Sequence, residues 1–127
     1  MKYLLDVNVL VAMHHTNHPE HGILHAWLTG QTPTQFSSCA ICDLGFIRVS
    51  MNVYNFTREV AERELANMRK LNVPGYIDTT PPPRLARWVL SHKHTTDAYL
   101  CQLAAANGMK LATFDTSIKD PAAFHIS

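Results

Sequence analysis

Leu4–Ala12 reads LLDVNVLVA, an apolar run interrupted by a single carboxylate, Asp6, and a single amide, Asn8. Met1–Leu5 has the composition of a short buried strand. Val7, Leu10 and Val11 then recur at helical spacing, so the chain is expected to pass from strand into helix at Asp6. Burying a carboxylate is costly unless something compensates its charge. What neutralises Asp6 is therefore the question on which function turns.

Reading outward, the alternation of strand and helix repeats. Pro19 suits the first turn of a second helix, with Ile23, Leu24, Trp27 and Leu28 on one face and Gly30 as its stop. Thr34 to Ser37 is expected as a second strand, followed by a helix with Ile41, Leu44, Ile47 and Met51 on one side. Thr57 is placed to cap a long amphipathic helix carrying Val60, Leu65, Met68 and Leu71 inward. Pro74-Gly75 ends it, and residues 75–78 fit a third strand. Pro81-Pro82-Pro83 leads to an expected helix with Leu85, Trp88 and Val89 inside. Thr95 or Thr96 caps another helix, which Asn107-Gly108 closes. Leu111 to Phe114 reads as a strand ending at Asp115, and residues 124–126 as a last edge strand. Such alternation specifies an α/β layered domain whose mainly parallel sheet, of about four to five strands, is flanked by helices.

The chain has 127 residues, 46% of them hydrophobic, which is enough for one core and one domain spanning 1–127. Its formal net charge of +1 excludes a bulk polycation, so any contact with nucleic acid must run through a local site or a metal. No apolar stretch approaches the ~18 residues of a membrane span, and Asp6 falls too early for a signal peptide. The cysteine count of three is odd and cannot complete a disulfide framework. These features predict a soluble, cytoplasmic protein.

Ligands of parallel α/β sheets bind beyond the carboxyl ends of the strands. Asp6 and Asp115 each follow an apolar strand directly, Asp97 opens a helix after Thr95-Thr96, and Asp43 lies in the first turns of another helix. Asp43, Asp97 and Asp115 each have an ordinary structural reading taken singly, as helix-start or turn acids. Their shared edge is what needs explaining. Crowded carboxylates repel one another unless a cation joins them. Oxygen-only donors suit Mg²⁺ or Mn²⁺, ions that polarise a phosphoryl oxygen and generate hydroxide for in-line attack on a phosphodiester.

Three stretches carry a resemblance: LLDVNVLVA, TTDAYLCQLAAANG and LATFD, with GFIRVSMN between them. Together they resemble PIN domains, and more specifically the single-domain ribonuclease toxins of the VapC group from type II toxin–antitoxin modules. The resemblance covers nearly the whole chain. It implies a PIN-like three-layer domain and an acidic cluster of Asp6, Asp43, Asp97 and Asp115. Asn8 matches a polar position that supports the first acid, and Thr113 a hydroxyl that precedes the last. Strand periodicity independently puts Thr113 and Asp115 on one side. The family's second acid is commonly glutamate, and the shorter Asp43 is expected to complete the site either directly or through a water. Asp6, Asp97 and Asp115 would hold Mg²⁺, with Mn²⁺ able to substitute. The implied partners are an RNA substrate, a cognate antitoxin and a second copy of the chain.

Arg48, Arg84 and Arg87 are candidates for phosphate contact, and His92 and His94 for the edge of the cleft. Of the eight histidines, His14, His15, His18, His21 and His25 crowd one region and are expected on exposed helix surface. His21 and His25 have the spacing of a helical metal pair, but no acid or cysteine nearby completes a set. Two alternatives come from other classes. One is a catalytically weak PIN-like module that binds RNA or protein. The other is a thioredoxin-like redox protein using Cys39 and Cys42, which leaves the acids unexplained.

Overall fold

The computed structural model describes residues 1–127. Strands β1 (Tyr3–Leu5), β2 (Phe36–Cys39), β3 (Gly75–Ile77), β4 (Lys110–Thr113) and β5 (Ala123–His125) form one sheet in the order β3-β2-β1-β4-β5. Every neighbouring pair is parallel. The helices are α1 (Val7–His14), α2 (His21–Leu28), α3 (Ala40–Val53), α4 (Arg58–Asn72) and α5 (Thr95–Ala106). β1 and β2 are buried along their whole length, as a parallel sheet covered on both faces requires.

From β1 the chain winds outward through β2 to β3, then crosses back to place β4 and β5 on the other side of β1. With right-handed crossovers this reversal sets α1–α4 on one face and α5 on the other. The result is the expected three-layer α/β domain. It also locates the crevice, because the strand order reverses between β1 and β4 and a ligand site lies beyond their carboxyl ends. The last edge strand, expected over residues 124–126, forms at Ala123–His125.

Several local expectations are corrected. Pro19 precedes α2 instead of opening it, and Leu24 is the one buried residue of that helix, with Ile23 exposed. β2 begins at Phe36, because Pro33–Gln35 forms a single 3₁₀ turn. On α3 the inward face is Cys42, Gly45, Phe46 and Ser50, while Ile41, Leu44 and Met51 are exposed. The cause is close helix packing: a Cβ at Gly45 would collide with the side chain of Val7 on α1. At this crossing only glycine fits, and the inward face turns to Cys42, Phe46 and Ser50 instead of Ile41, Leu44 and Met51. On α4, Ala61, Leu65 and Met68 point in and Leu71 points out. Thr57 caps α4 as expected, its hydroxyl accepting from Val60 N at 3.2 Å.

No helix forms after the prolines. The carbonyls of Pro81 and Pro82 accept from Tyr99 Oη and Gln102 Nε2 at 2.8 and 2.9 Å, and Gln102 Oε1 accepts from Arg84 N at 2.8 Å. Side chains of α5 thus satisfy backbone groups that a helix would otherwise pair internally.

One histidine of the crowded region is not on the surface. His15 is buried, stacks on Tyr54 at 3.6 Å between ring centroids, and shares a 3.0 Å hydrogen bond with Ser50 Oγ. Burial, with His14 and His18 nearby, pushes its pKa down to about 4.

Candidate active site

Asp6 stands where β1 becomes α1. Its backbone is extended (φ −64°, ψ 161°), its carbonyl accepts from Val9 N and Leu10 N, and its Oδ1 accepts from Val7 N at 2.8 Å. A short acceptor side chain is what a helix start needs, so the carboxylate is also the N-cap of α1. Its other oxygen, Oδ2, accepts the hydroxyl proton of Thr113 at 2.8 Å. The Thr113 oxygen in turn accepts from Asp115 N at 3.0 Å and, at 3.4 Å, from Asn8 Nδ2. Asn8 Oδ1 accepts from Phe114 N at 3.4 Å. Asn8 and Thr113 therefore bind the end of β1 to the end of β4.

Asp115 is fixed from its other side. Its Oδ1 accepts from both Ser117 N and Ser117 Oγ, at 2.9 and 2.6 Å. Asp97 lies in the first turn of α5, with Oδ2 3.7 Å from His94 Nδ1.

The charges in this group are in tension. Burial, opposed by the Thr113 and Val7 hydrogen bonds and reinforced by Asp97 and Asp115, pushes the Asp6 carboxyl up to about 6. Burial and then Asp115 raise Asp97 above the ordinary carboxylate range, against the pull of His94. The Ser117 hydroxyl, more than any other group, holds Asp115 below it.

Asp6, Asp97 and Asp115 line one cleft of about 520 Å³, together with Asn8 and Arg48. Three of the four expected acids therefore meet. Asp43 does not line that cleft. Ser38 Oγ donates to its Oδ1 at 2.5 Å and Arg69 Nη1 to its Oδ2 at 3.0 Å, so a cation already compensates it. The short side chain is held toward α4 and the end of β2. Arg84 and Arg87 are exposed outside the cleft, and His94 reaches it only through Asp97. Cys39 and Cys42 are buried at 2% and 0% exposure, and neither lines the acidic cleft.

The donor set fits a hard divalent cation in its chemistry. Its donors are carboxylate oxygens, each with lone pairs left after the hydrogen bonds described. A cation would also remove the penalty that burial imposes on ionised Asp6. The side chains are not drawn together into a finished three-ligand cage.

A family model described as the PIN domain matches residues 3–123. The chain belongs to the PIN-domain family. Among curated proteins of Mycobacterium tuberculosis (strain ATCC 25618 / H37Rv), it is 36% identical to Ribonuclease VapC44 over 93% of this chain and 89% of that protein. It is 31% identical to Ribonuclease VapC39, over 96% of this chain and 94% of that protein. Ribonuclease VapC38 shares 29% identity over 91% and 86%.

In this PIN domain two polar cleft residues escape the sequence reading, His18 and Thr96. His18 is hidden among neighbouring histidines, and no spacing distinguishes it from them. Thr96 is expected from sequence only as one of two possible caps, and it is neither cap nor helix start: α5 begins at Thr95 after His94, with no side-chain cap. No helix is long and apolar enough to cross a membrane.

Proposed function

We propose that the protein is a Mg²⁺-dependent endoribonuclease and the toxin of a type II toxin–antitoxin pair, restrained by a cognate antitoxin and working as a homodimer. The observation that carries this reading is the meeting of Asp6, Asp97 and Asp115 in one cleft at the point where the strand order reverses. The ribonuclease names of the relatives support the substrate class.

Asp6, Asp97 and Asp115 would hold the ion, and Mn²⁺ could replace Mg²⁺. When bound, such an ion supplies Lewis-acid stabilisation of the phosphoryl charge and a water of lowered pKa. The chain's own contribution is positioning. Val7 N–H and the Thr113 hydroxyl fix both oxygens of Asp6, so this carboxylate does not reorient when substrate arrives. Ser117 fixes Asp115 in the same way. Arg48, on the α3 wall of the cleft, supplies the positive charge that draws in a phosphodiester. Asp43, held by Arg69 and Ser38, braces α3 against α4 and serves the site indirectly.

The test is cleavage of RNA by protein freed of any partner. RNA should be cut with Mg²⁺ or Mn²⁺ and left intact with EDTA. Undiminished cleavage in EDTA would overturn the proposal.

A further inference from the structure

His18 lies in the turn between α1 and α2 and lines the same cleft as Asp6, Asp97 and Asp115. Its Nδ1 accepts a hydrogen bond from Glu20 N at 3.0 Å. A backbone amide can only donate, so Nδ1 must carry its lone pair and the proton of the neutral ring sits on Nε2. That Nε2 has no protein partner and is not sealed in the interior. His21, three residues on, is poised the other way: its Nδ1 contacts the Ala12 carbonyl at 2.6 Å and must donate. Of the two rings, His18 is the one whose free nitrogen is a donor.

In the cleft such a donor would complement Arg48. The cleft's ionised carboxylates only accept, and the non-bridging oxygens of a phosphodiester also only accept. Resting on the nuclease reading above, we propose that His18 is a neutral hydrogen-bond donor, through Nε2–H, to a non-bridging phosphate oxygen of the bound RNA strand. It positions the strand in the cleft that Arg48 also lines and takes no proton from it or from water. The Glu20 amide keeps the ring in the donating tautomer, much as outer partners fix the tautomer of other functional histidines.

The two amide substitutions separate this role from a structural one. Glutamine carries its amide group at about the reach of Nε2, and asparagine places its oxygen at about the position of Nδ1. A single-stranded RNA oligonucleotide with a fluorescent label is titrated in Mg²⁺ with the cleavage-impaired Asp115→Asn protein, alone and combined with His18→Gln or His18→Asn. Melting temperatures are recorded in parallel. His18→Asn should lose about ten-fold in affinity, while His18→Gln stays within about three-fold of its parent. Stability should run in the opposite order, because only asparagine can still accept from Glu20 N. In otherwise unmodified enzyme the His18→Asn defect should fall mainly on KM. Equal affinity in all three proteins, or better retention by asparagine than by glutamine, would overturn the role of His18 alone. Absence of RNA binding by every protein, the unmodified one included, would overturn it together with the nuclease reading.

Discussion

Thr113 and Asp6 are 107 positions apart in sequence, yet the hydroxyl of one donates to the carboxylate of the other at 2.8 Å. The same hydroxyl oxygen accepts from Asp115 N, so one side chain sets the spacing between two acids of the cleft. Replacing Thr113 with valine keeps the shape and removes the bond. Asp6 Oδ2 and the Asp115 amide would both lose a partner, at a cost of about 1–3 kcal/mol. Thr113→Val should therefore melt lower and cleave RNA poorly, and Thr113→Ser should restore most of both. Urea unfolding and an RNA cleavage assay on the pair check this.

Asp43 separates the pattern of residues from their placement. Because Arg69 and Ser38 occupy its carboxylate, Asp43→Asn should cost stability and reduce cleavage less than ten-fold, whereas Asp97→Asn and Asp115→Asn should nearly abolish it. Cleavage rates with saturating Mg²⁺ decide it. An Asp43→Asn enzyme as dead as Asp97→Asn would mean that Asp43 turns into the cleft in the working enzyme.

The strands and the acids that follow them were legible because they rest on local rules. An apolar strand ending in an acid, followed by helical spacing, fixed the junction at Asp6, and Thr57 signalled its cap by type alone. The inward face of α3 was not legible. Ile41, Leu44 and Met51 carry the helical period, but the tight crossing of α1 admits no side chain at Gly45, and the inner face is Cys42, Gly45, Phe46 and Ser50. The segment after Pro83 was misread for a similar reason, since its backbone partners are Tyr99 and Gln102 on a helix later in the chain. The diversion of Asp43 depends on Arg69, 26 residues away, and the donating tautomer of His18 depends on a backbone amide. Neither leaves a periodic trace.

Buried His15 should make the fold acid-sensitive. Its pKa is about 4 in the folded protein against 6.5 for an ordinary solvated histidine, so the unfolded chain binds the proton more readily between those values. Its contribution to stability is complete above pH 6.5 and is lost as pH falls toward 4. His15→Phe, which preserves an aromatic face against Tyr54, should flatten that dependence in thermal melts across the window. An unchanged slope would show that His15 titrates freely.

Cys39 and Cys42 belong to the core. The double replacement by alanine should lower the melting temperature, as large-to-small core changes do, while leaving metal-dependent cleavage within a few-fold of wild type. Complete loss of cleavage in a folded double variant would give the thiols a part in the chemistry.

The central claim is that Asp6 tolerates burial because a divalent cation shares its charge. In metal-free protein its pKa is raised from 3.8 to about 6, so the unfolded chain releases the proton first and stability falls as pH climbs between those values. Above the folded pKa the penalty is complete, and the displacement corresponds to about 3 kcal/mol. His15 has the opposite slope in this window, so the comparison must be made against Asp6→Asn, where only the Asp6 part disappears. The decisive measurement is the melting temperature of wild type and Asp6→Asn at neutral pH, with EDTA and with Mg²⁺. In EDTA the variant should melt at or above wild type, and Mg²⁺ should raise wild type while leaving the variant nearly unmoved. A variant markedly less stable than wild type in EDTA, with Mg²⁺ shifting neither protein, would make Asp6 a structural cap and contradict the account.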